Sequence, residues 1–490
     1  MASRGGAEPV RFGTDGWRAI IADTFTFANV ARAAAGLAAY LRAPDRRRNL
    51  IYIDWGAEYR GVEQGVVIGY DTRFLSAEFA AHAACTLADA EVPVVLSDRF
   101  IPTPALSLAV VDRRAAIGAV LTSSHNPPEY NGLKIKASYG GSAPASVTDE
   151  IEARLPDRPP TPRTDPEELE HVDLTTPYLD RIRSLVDVDR LTASPVHVVV
   201  DSMFGSAQGL VVQLLAEHGV DATQIRGTRD VLFGGVKPEP LEENVTPLRD
   251  AIGALRGTHE RLIGVVTDGD GDRISAMDER GRFIDAHRTY ALILRYLVEE
   301  RGLTGPIVVS FNLSDMIRKM AEAYGLEVTE IPIGFKHAAE HIVKRDILIA
   351  GEESGSLAIR GHIPERDGVL CSLLLTELVA STGSSPSELI ADLHRRFGPQ
   401  TYRRRDIKIE TRIEVVKTLL AAPPDRFAGR PVRSVETLDG IKLRFADGWL
   451  LFRASGTEPI LRMYCEMETE EDVDTLLTEA ETFARGVPPR

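Results

Sequence analysis

Four short polar loops carry side chains whose types and spacing could do chemistry. Thr122-Ser123-Ser124-His125-Asn126-Pro127 brings hydroxyl, imidazole and amide groups together. A hydroxyl becomes a nucleophile when a base or a metal activates it. The same residues would also serve as a plain Ser/Asn/Pro turn. Asp268-Gly269-Asp270-Gly271-Asp272-Arg273 sets carboxylates at i, i+2 and i+4 in a Gly-rich turn. Oxygen ligands so arranged suit one hard divalent cation, and like charges so close are costly without a counterion. An EF-hand wants Gly where Arg273 stands and a helix where an apolar strand is read, so Glu279 at the twelfth position is a coincidence. Gly351-Glu352-Glu353-Ser354-Gly355 offers acids and a hydroxyl to a polyol, or to the first turn of a helix. Arg453-Ala454-Ser455-Gly456-Thr457-Glu458-Pro459 joins a guanidinium fork, hydroxyls and open backbone N–H groups. That suits a phosphate, and it also suits a hairpin turn. Taken together, a nucleophile, a divalent-cation site, a sugar recogniser and a phosphate clamp are what phosphoryl transfer to or from a sugar phosphate needs.

The elements that must position these loops follow from periodicity. Phe27, Val30, Ala34, Leu37 and Leu41 form a helical stripe over 25–42. The apolar runs at 66–71 and 116–123 read as buried strands, with a helix over 76–90 between them. Further strands at 196–201, 262–268, 306–311 and 347–355 end in polar loops, and ligands in open α/β sheets lie beyond such ends. The Pro-rich, charged stretch 155–175 reads as a connection that closes the first domain. Residues 441–445 and 461–467 alternate like half-buried strands before a helix over 471–485, so the last domain is α+β. The expected domains are 1–160, 176–285, 286–400 and 401–490, three α/β and one α+β, with one such loop in each.

The chain has 490 residues, enough for three or four domains of about 100–200 residues each. With 43% hydrophobic and 26% charged residues, it is not a largely disordered chain. A formal charge of −15 argues against a nucleic-acid partner and requires any phosphate site to gather positive charge locally. Cys85, Cys371 and Cys465 are far apart, which supports neither a disulfide framework nor a cysteine zinc site. Reduced thiols, an N-terminus without an apolar signal core, and no apolar run of about 18 residues lead to the expectation of a cytoplasmic protein with no membrane partner.

The four loops, in their order and spacing, resemble those of the α-D-phosphohexomutases, a family of phosphoglucomutases, phosphomannomutases and phosphoglucosamine mutases. Phe12-Gly13-Thr14-Asp15-Gly16-Trp17-Arg18, Asn131-Gly132-Leu133-Lys134 and Gly334-Phe335-Lys336 are similar to further family motifs. The resemblance covers the whole chain. It implies mixed sheets in the three α/β domains and a TATA-binding-protein-like fourth domain around a central cleft. It implies phosphoserine at Ser124, and Mg²⁺ held by Asp268, Asp270, Asp272 and a phosphoserine oxygen. Lys134 and His125 would be the proton-transfer candidates, supported by Arg18 and Arg273. Glu352 and Ser354 would bind sugar hydroxyls, with Lys336 adding positive charge. Arg453, Ser455, Gly456 and Thr457 would hold the phosphate that is not transferred.

The implied reaction moves a phosphoryl group between the 1- and 6-oxygens of a hexose through a hexose 1,6-bisphosphate. Lys134 would act as a base if neighbouring cations depress its pKa. Dual glucose/mannose mutases of the family carry Met at the position of Glu353 and His at that of Ser356, and glucosamine mutases also place Gly-His at the end of this loop. Ser356 therefore points to glucose phosphate, with His362 as a histidine further along. The alternatives are the same mechanism on mannose or glucosamine phosphate, a metal-dependent phosphatase, and a non-catalytic sugar-phosphate-binding regulator. The expected partner is a small sugar phosphate, and the expected assembly a monomer or homodimer.

Overall fold

The computed structural model describes residues 10–13, 16–456 and 458–488. By compactness the chain divides into two units. One holds the chain up to Gly305 together with Gly334–Ser387; the other holds Pro306–Ile333 and the chain from Glu388 onward.

The first unit opens with helix Phe27–Arg42, where the apolar stripe places it. Thr26 caps it by accepting the Asn29 N–H, satisfying one of the donors that a helix start leaves free. Val30, Ala34, Leu37 and Leu41 are buried in one core with Phe79 and Ala80 of helix Ser76–Asp89. Behind them lies a six-stranded sheet in the order Trp17–Ile20, Tyr130–Lys136, Ile117–Leu121, Val66–Tyr70, Val94–Ser97, Glu170–Val172. Val66–Tyr70 runs parallel to both neighbours, whereas Tyr130–Lys136 is antiparallel to Ile117–Leu121, so the sheet is mixed. The edge strand Glu170–Val172 comes from the stretch read as a connection and pairs in parallel with Val95–Ser97. Proline and charge fit such an edge, which has no second ladder to complete.

A second sheet follows in the order Phe283–Ile284, Ile274–Met277, Leu262–Thr267, His197–Asp201, Asp221–Ile225. Its three parallel strands are joined by helices, and Leu262–Thr267 runs straight into Asp268. Strands Ile349–Gly351 and Leu357–Ile359 form an antiparallel pair around the 352–356 loop. Helix Gly368–Thr382 is apolar nearly all round because it is buried nearly all round.

In the second unit, strands Ile307–Ser310 and Val328–Ile331 are parallel, connected through helix Asp315–Tyr324. The C-terminal part is an antiparallel five-stranded sheet covered by helices Arg412–Ala421 and Glu470–Gly486. Lys442 joins the two parts of this unit, its ammonium 3.9 Å from the Phe311 ring centre and 4.8 Å from that of Trp449. The fold class is therefore α/β with mixed sheets and an α+β C-terminal domain. Among the described residues no single helix is long and apolar enough to cross a membrane.

Candidate active site

Strand Ile117–Leu121 ends at Thr122, whose Oγ1 accepts the Ser124 N–H at 2.8 Å. Ser124 sits at φ 52°, a left-handed conformation that costs an L-residue about 1–2 kcal/mol and persists only where its surroundings hold it. The buried hydroxyl donates to Asp268 Oδ2 at 2.9 Å and lies 3.3 Å from His125 Nδ1. Gly269 makes this approach possible, since a Cβ there would lie 2.5 Å from the Ser124 carbonyl oxygen.

Asp268, Asp270 and Asp272 are all buried, and one carboxylate oxygen from each lies within 4.8 Å of the others. Asp268 Oδ1 accepts the N–H groups of Asp272 and Arg273 at 3.0 and 3.1 Å. Asp270 Oδ2 accepts from Thr103 Oγ1 at 2.6 Å and from Lys134 Nζ at 2.7 Å. Asp272 Oδ2 accepts from Lys134 Nζ at 3.0 Å and pairs with Arg366 Nη2 at 2.6 Å. Asp270 Oδ1 and Asp272 Oδ1 are buried without a hydrogen-bond partner. Two such oxygens are costly alone and are what a hard divalent cation takes as ligands, so the donor set fits a metal. Burial, with the Asp270 and Asp272 charges, pushes the Asp268 carboxyl well above the usual range. Burial opposes the Asp270 charge too, but the Lys134 ammonium outweighs it and holds Asp270 far below that range.

Lys134 pairs directly with these carboxylates. His125 has cationic surroundings: burial, then Arg273, Arg18, Lys134 and Arg73, push its imidazole well below the ordinary value. Arg273 Nη1 donates to Glu239 Oε1 at 3.0 Å, and His125 Nε2 lies 3.8 Å from the same oxygen. Arg18 Nη1 donates to Asn126 Oδ1 at 3.0 Å.

The Glu352–Ser356 loop is stitched to the strand after the acidic loop. The Ile274 N–H donates to the Gly355 carbonyl at 2.9 Å. Gly355 sits at φ 82°, and a Cβ there would lie 2.4 Å from the Ile274 carbonyl oxygen. Glu352 is buried, which raises its carboxyl, and its Oε1 accepts the Gly334 N–H at 2.7 Å. Ser354 Oγ donates to Ser356 Oγ at 2.9 Å. Lys336 opens the helix Lys336–Lys344 and is half-buried. His362 is not available to a ligand: its side chain is fully buried, with Nε2 2.9 Å from Asp367 Oδ2.

In the second unit, Arg453 Nε donates to both carboxylate oxygens of Asp439 at 3.0 Å. Ser455 is fixed through its N–H to Ile460 O at 2.9 Å, its Oγ accepts the Glu458 N–H at 3.2 Å, and its carbonyl accepts Arg412 Nε at 2.9 Å. Gly456 is exposed, with no atom within 4 Å of where a Cβ would stand. Thr457 and the Thr14-Asp15 pair of the N-terminal motif lie outside the described residues.

Four domain families match the chain. Phosphoglucomutase/phosphomannomutase alpha/beta/alpha domains I, II and III match residues 9–159, 176–281 and 285–397, and the C-terminal domain matches 408–482. A phosphoglucomutase/phosphomannomutase of Thermococcus kodakarensis is 32% identical over 408 residues, 83% of this chain and 86% of its own. The chain belongs to the α-D-phosphohexomutase family. A phosphoglucosamine mutase of Levilactobacillus brevis is 30% identical, over 85% of this chain and 88% of its own. A Thermus thermophilus crystal structure described as a phosphomannomutase matches with TM-score 0.84 at 33% identity, covering 98% of this chain and all of that one.

As a phosphohexomutase the chain is an isomerase, moving a phosphoryl group within a sugar phosphate. Its site also contains residues that the sequence reading passed over. Glu239 accepts from Arg273 and lies beside His125; Arg366 pairs with Asp272; Arg73 binds the Ser124 loop. Arg73 lies just beyond the apolar strand Val66–Tyr70, and Arg366 stands in a charged triplet before a largely apolar helix. Both positions carry the strand-end or helix-start signal that singled out the other loops. Glu239 lies between prolines in an irregular segment and carries no such signal.

Proposed function

We propose that this phosphohexomutase interconverts hexose 1-phosphate and hexose 6-phosphate, with glucose phosphates as its substrates. In this reading Ser124 carries the phosphoryl group and a hexose 1,6-bisphosphate is the intermediate. The observation that carries it is the Ser124 hydroxyl, buried and 2.9 Å from the first of three clustered carboxylates.

The free hydroxyl of the bound monophosphate forms a new P–O bond as the Ser124 Oγ–P bond breaks, and its proton leaves. The bisphosphate turns over, the other phosphoryl group returns to Ser124 Oγ, and the isomeric monophosphate departs. His125 Nδ1, 3.3 Å from the Ser124 hydroxyl, and Lys134 Nζ are the proton carriers. Arg18 and Arg273 support the charge that spreads over the phosphoryl oxygens. Asp268, Asp270, Asp272 and a phosphoserine oxygen would hold Mg²⁺, which neutralises that charge when bound. Glu352 and Ser354, with Lys336 nearby, would take the sugar, and Arg453, Ser455, Gly456 and Thr457 the second phosphate.

Ser356, in place of the His of dual-specificity and glucosamine mutases, supports glucose phosphate, and His362 is buried against Asp367. The relatives named phosphoglucosamine mutase favour glucosamine phosphate as the second reading. A coupled mutase assay on glucose, mannose and glucosamine 1-phosphates, with intact-mass detection of one phosphate on the protein, tests both. Released inorganic phosphate without a bisphosphate requirement would mark a phosphatase, and saturable binding without turnover a regulator.

A further inference from the structure

We propose that Arg73 is a positioning residue for phosphoryl transfer, fixing the backbone of residues 124–130 so that the Ser124 hydroxyl faces the acidic loop. The inference rests on reading Ser124 as the phosphoryl carrier.

The Arg73 side chain is fully buried. Its Nη2 donates to the carbonyls of Ser124 at 2.6 Å and Asn126 at 2.7 Å, and its Nη1 to those of Pro127 at 2.9 Å and Tyr130 at 3.1 Å. One guanidinium therefore satisfies four backbone acceptors of the loop that carries the nucleophile. Buried carbonyls without partners are strongly disfavoured, and this loop makes few ladder bonds of its own. A planar fork can meet four acceptors spread along a curved segment; an ammonium, with three donors about one point, cannot.

Arg73 is itself held from several sides. Its Nε lies 3.2 Å from Asp71 Oδ2, and Asp71 Oδ1 accepts the Arg73 N–H at 3.0 Å and the Ser76 hydroxyl at 2.7 Å. The Phe233 ring lies 4.9 Å from the guanidinium carbon. Arg229 donates to the Thr72 and Arg73 carbonyls at 3.0 and 3.3 Å. Loops of the second α/β domain thus grip the residue that holds the first domain's serine. The same domain supplies the acidic loop, where the Gly269 N–H donates to the Pro238 carbonyl at 3.1 Å. The left-handed Ser124 is the point these contacts hold in place.

Arg73→Lys tests the proposal. Misplacing a reacting group by about 1 Å costs about 10²-fold in rate, so kcat should fall about 10²-fold while KM stays within about 3-fold. A loss through general destabilisation would instead lower the active fraction, and normalising rates to folded protein removes it. Phe233→Leu removes only the ring beneath the guanidinium and should lower kcat with KM unmoved. Wild-type kcat in either variant, measured on folded protein, overturns the proposal. Intact mass of the wild-type enzyme is read in parallel. Absence of phosphate on Ser124 there would fell the phosphoserine reading itself, whereas its presence with an undiminished Arg73→Lys kcat would fell only this inference.

Discussion

The Ser124 and Asp268–Arg273 loops of the first unit and the Arg453–Glu458 loop of the second are built to opposite specifications. In the first pair Ser124 and the three carboxylates are buried, the serine is bonded to Asp268, and a glycine is present where the serine loop's carbonyl leaves no room for a Cβ. In the second, one edge of the Arg453 guanidinium is engaged by Asp439, the side chain remains 22% exposed, and Gly456 faces open space. Groups that stabilise a transition state gain from fixed placement in a dry, low-dielectric site. If the second loop clamps a phosphate as proposed, it would gain from remaining open.

The sharpest test of this contrast is Ser124→Ala. Losing the nucleophile should lower mutase turnover by at least about 10³-fold with the fold intact; full activity with added glucose 1,6-bisphosphate would remove Ser124 from its role. Asp270→Asn comes next. It removes one charge from the carboxylate cluster and should weaken apparent Mg²⁺ affinity by about 10–100-fold, read as a shift in metal titration of the activity. An unshifted curve would dissociate the acidic loop from the metal. Arg453→Ala should raise KM about 10–100-fold, the equivalent of one or two charge-assisted hydrogen bonds, with little change in kcat. A fall in kcat at constant KM would break the contrast, because it would place the clamp within the chemistry.

The smallest effect concerns a pair of buried acids, one in each unit and neither in the site. Burial raises the Glu377 carboxyl to about 7, and burial with the Asp315 charge raises Glu466 to about 7 as well. A carboxyl raised in the folded state contributes stability fully below its unfolded value of 4.5 and loses it as pH climbs through about 7. Thermal unfolding should therefore show stability declining between pH 4.5 and 7, and Glu466→Gln should flatten that decline for the second unit. An equal pH profile in the variant would show that Glu466 titrates normally.

Much of the fold was legible because its signals are local. Apolar runs at 66–71, 196–201 and 262–268 are strands Val66–Tyr70, His197–Asp201 and Leu262–Thr267, and the period-3.6 stripe over 25–42 is helix Phe27–Arg42. The edge strand Glu170–Val172 was not legible, since three residues after a proline-rich run are too few to show alternation. Within the site, the serine and aspartate motifs could be read directly because each lies within six consecutive residues. The partners of Lys134 could not. Asp270 and Asp272 are 136 and 138 positions away, and only packing brings a carboxylate, not a cation, to the ammonium.

The sequence by itself determined which loops carry side chains suited to chemistry, their order and the family the chain belongs to, because turn residues, strand ends and charged groups are encoded over a few adjacent positions. Tertiary structure decided what each group experiences. It set His125 among cations, sealed His362 against Asp367, left two carboxylate oxygens bare for a metal, and ran the Arg73 fork across four carbonyls of the serine loop. Hydrogen-bond reach and desolvation depend on distances of a few ångströms between segments far apart in the chain, and only the packed fold sets those distances.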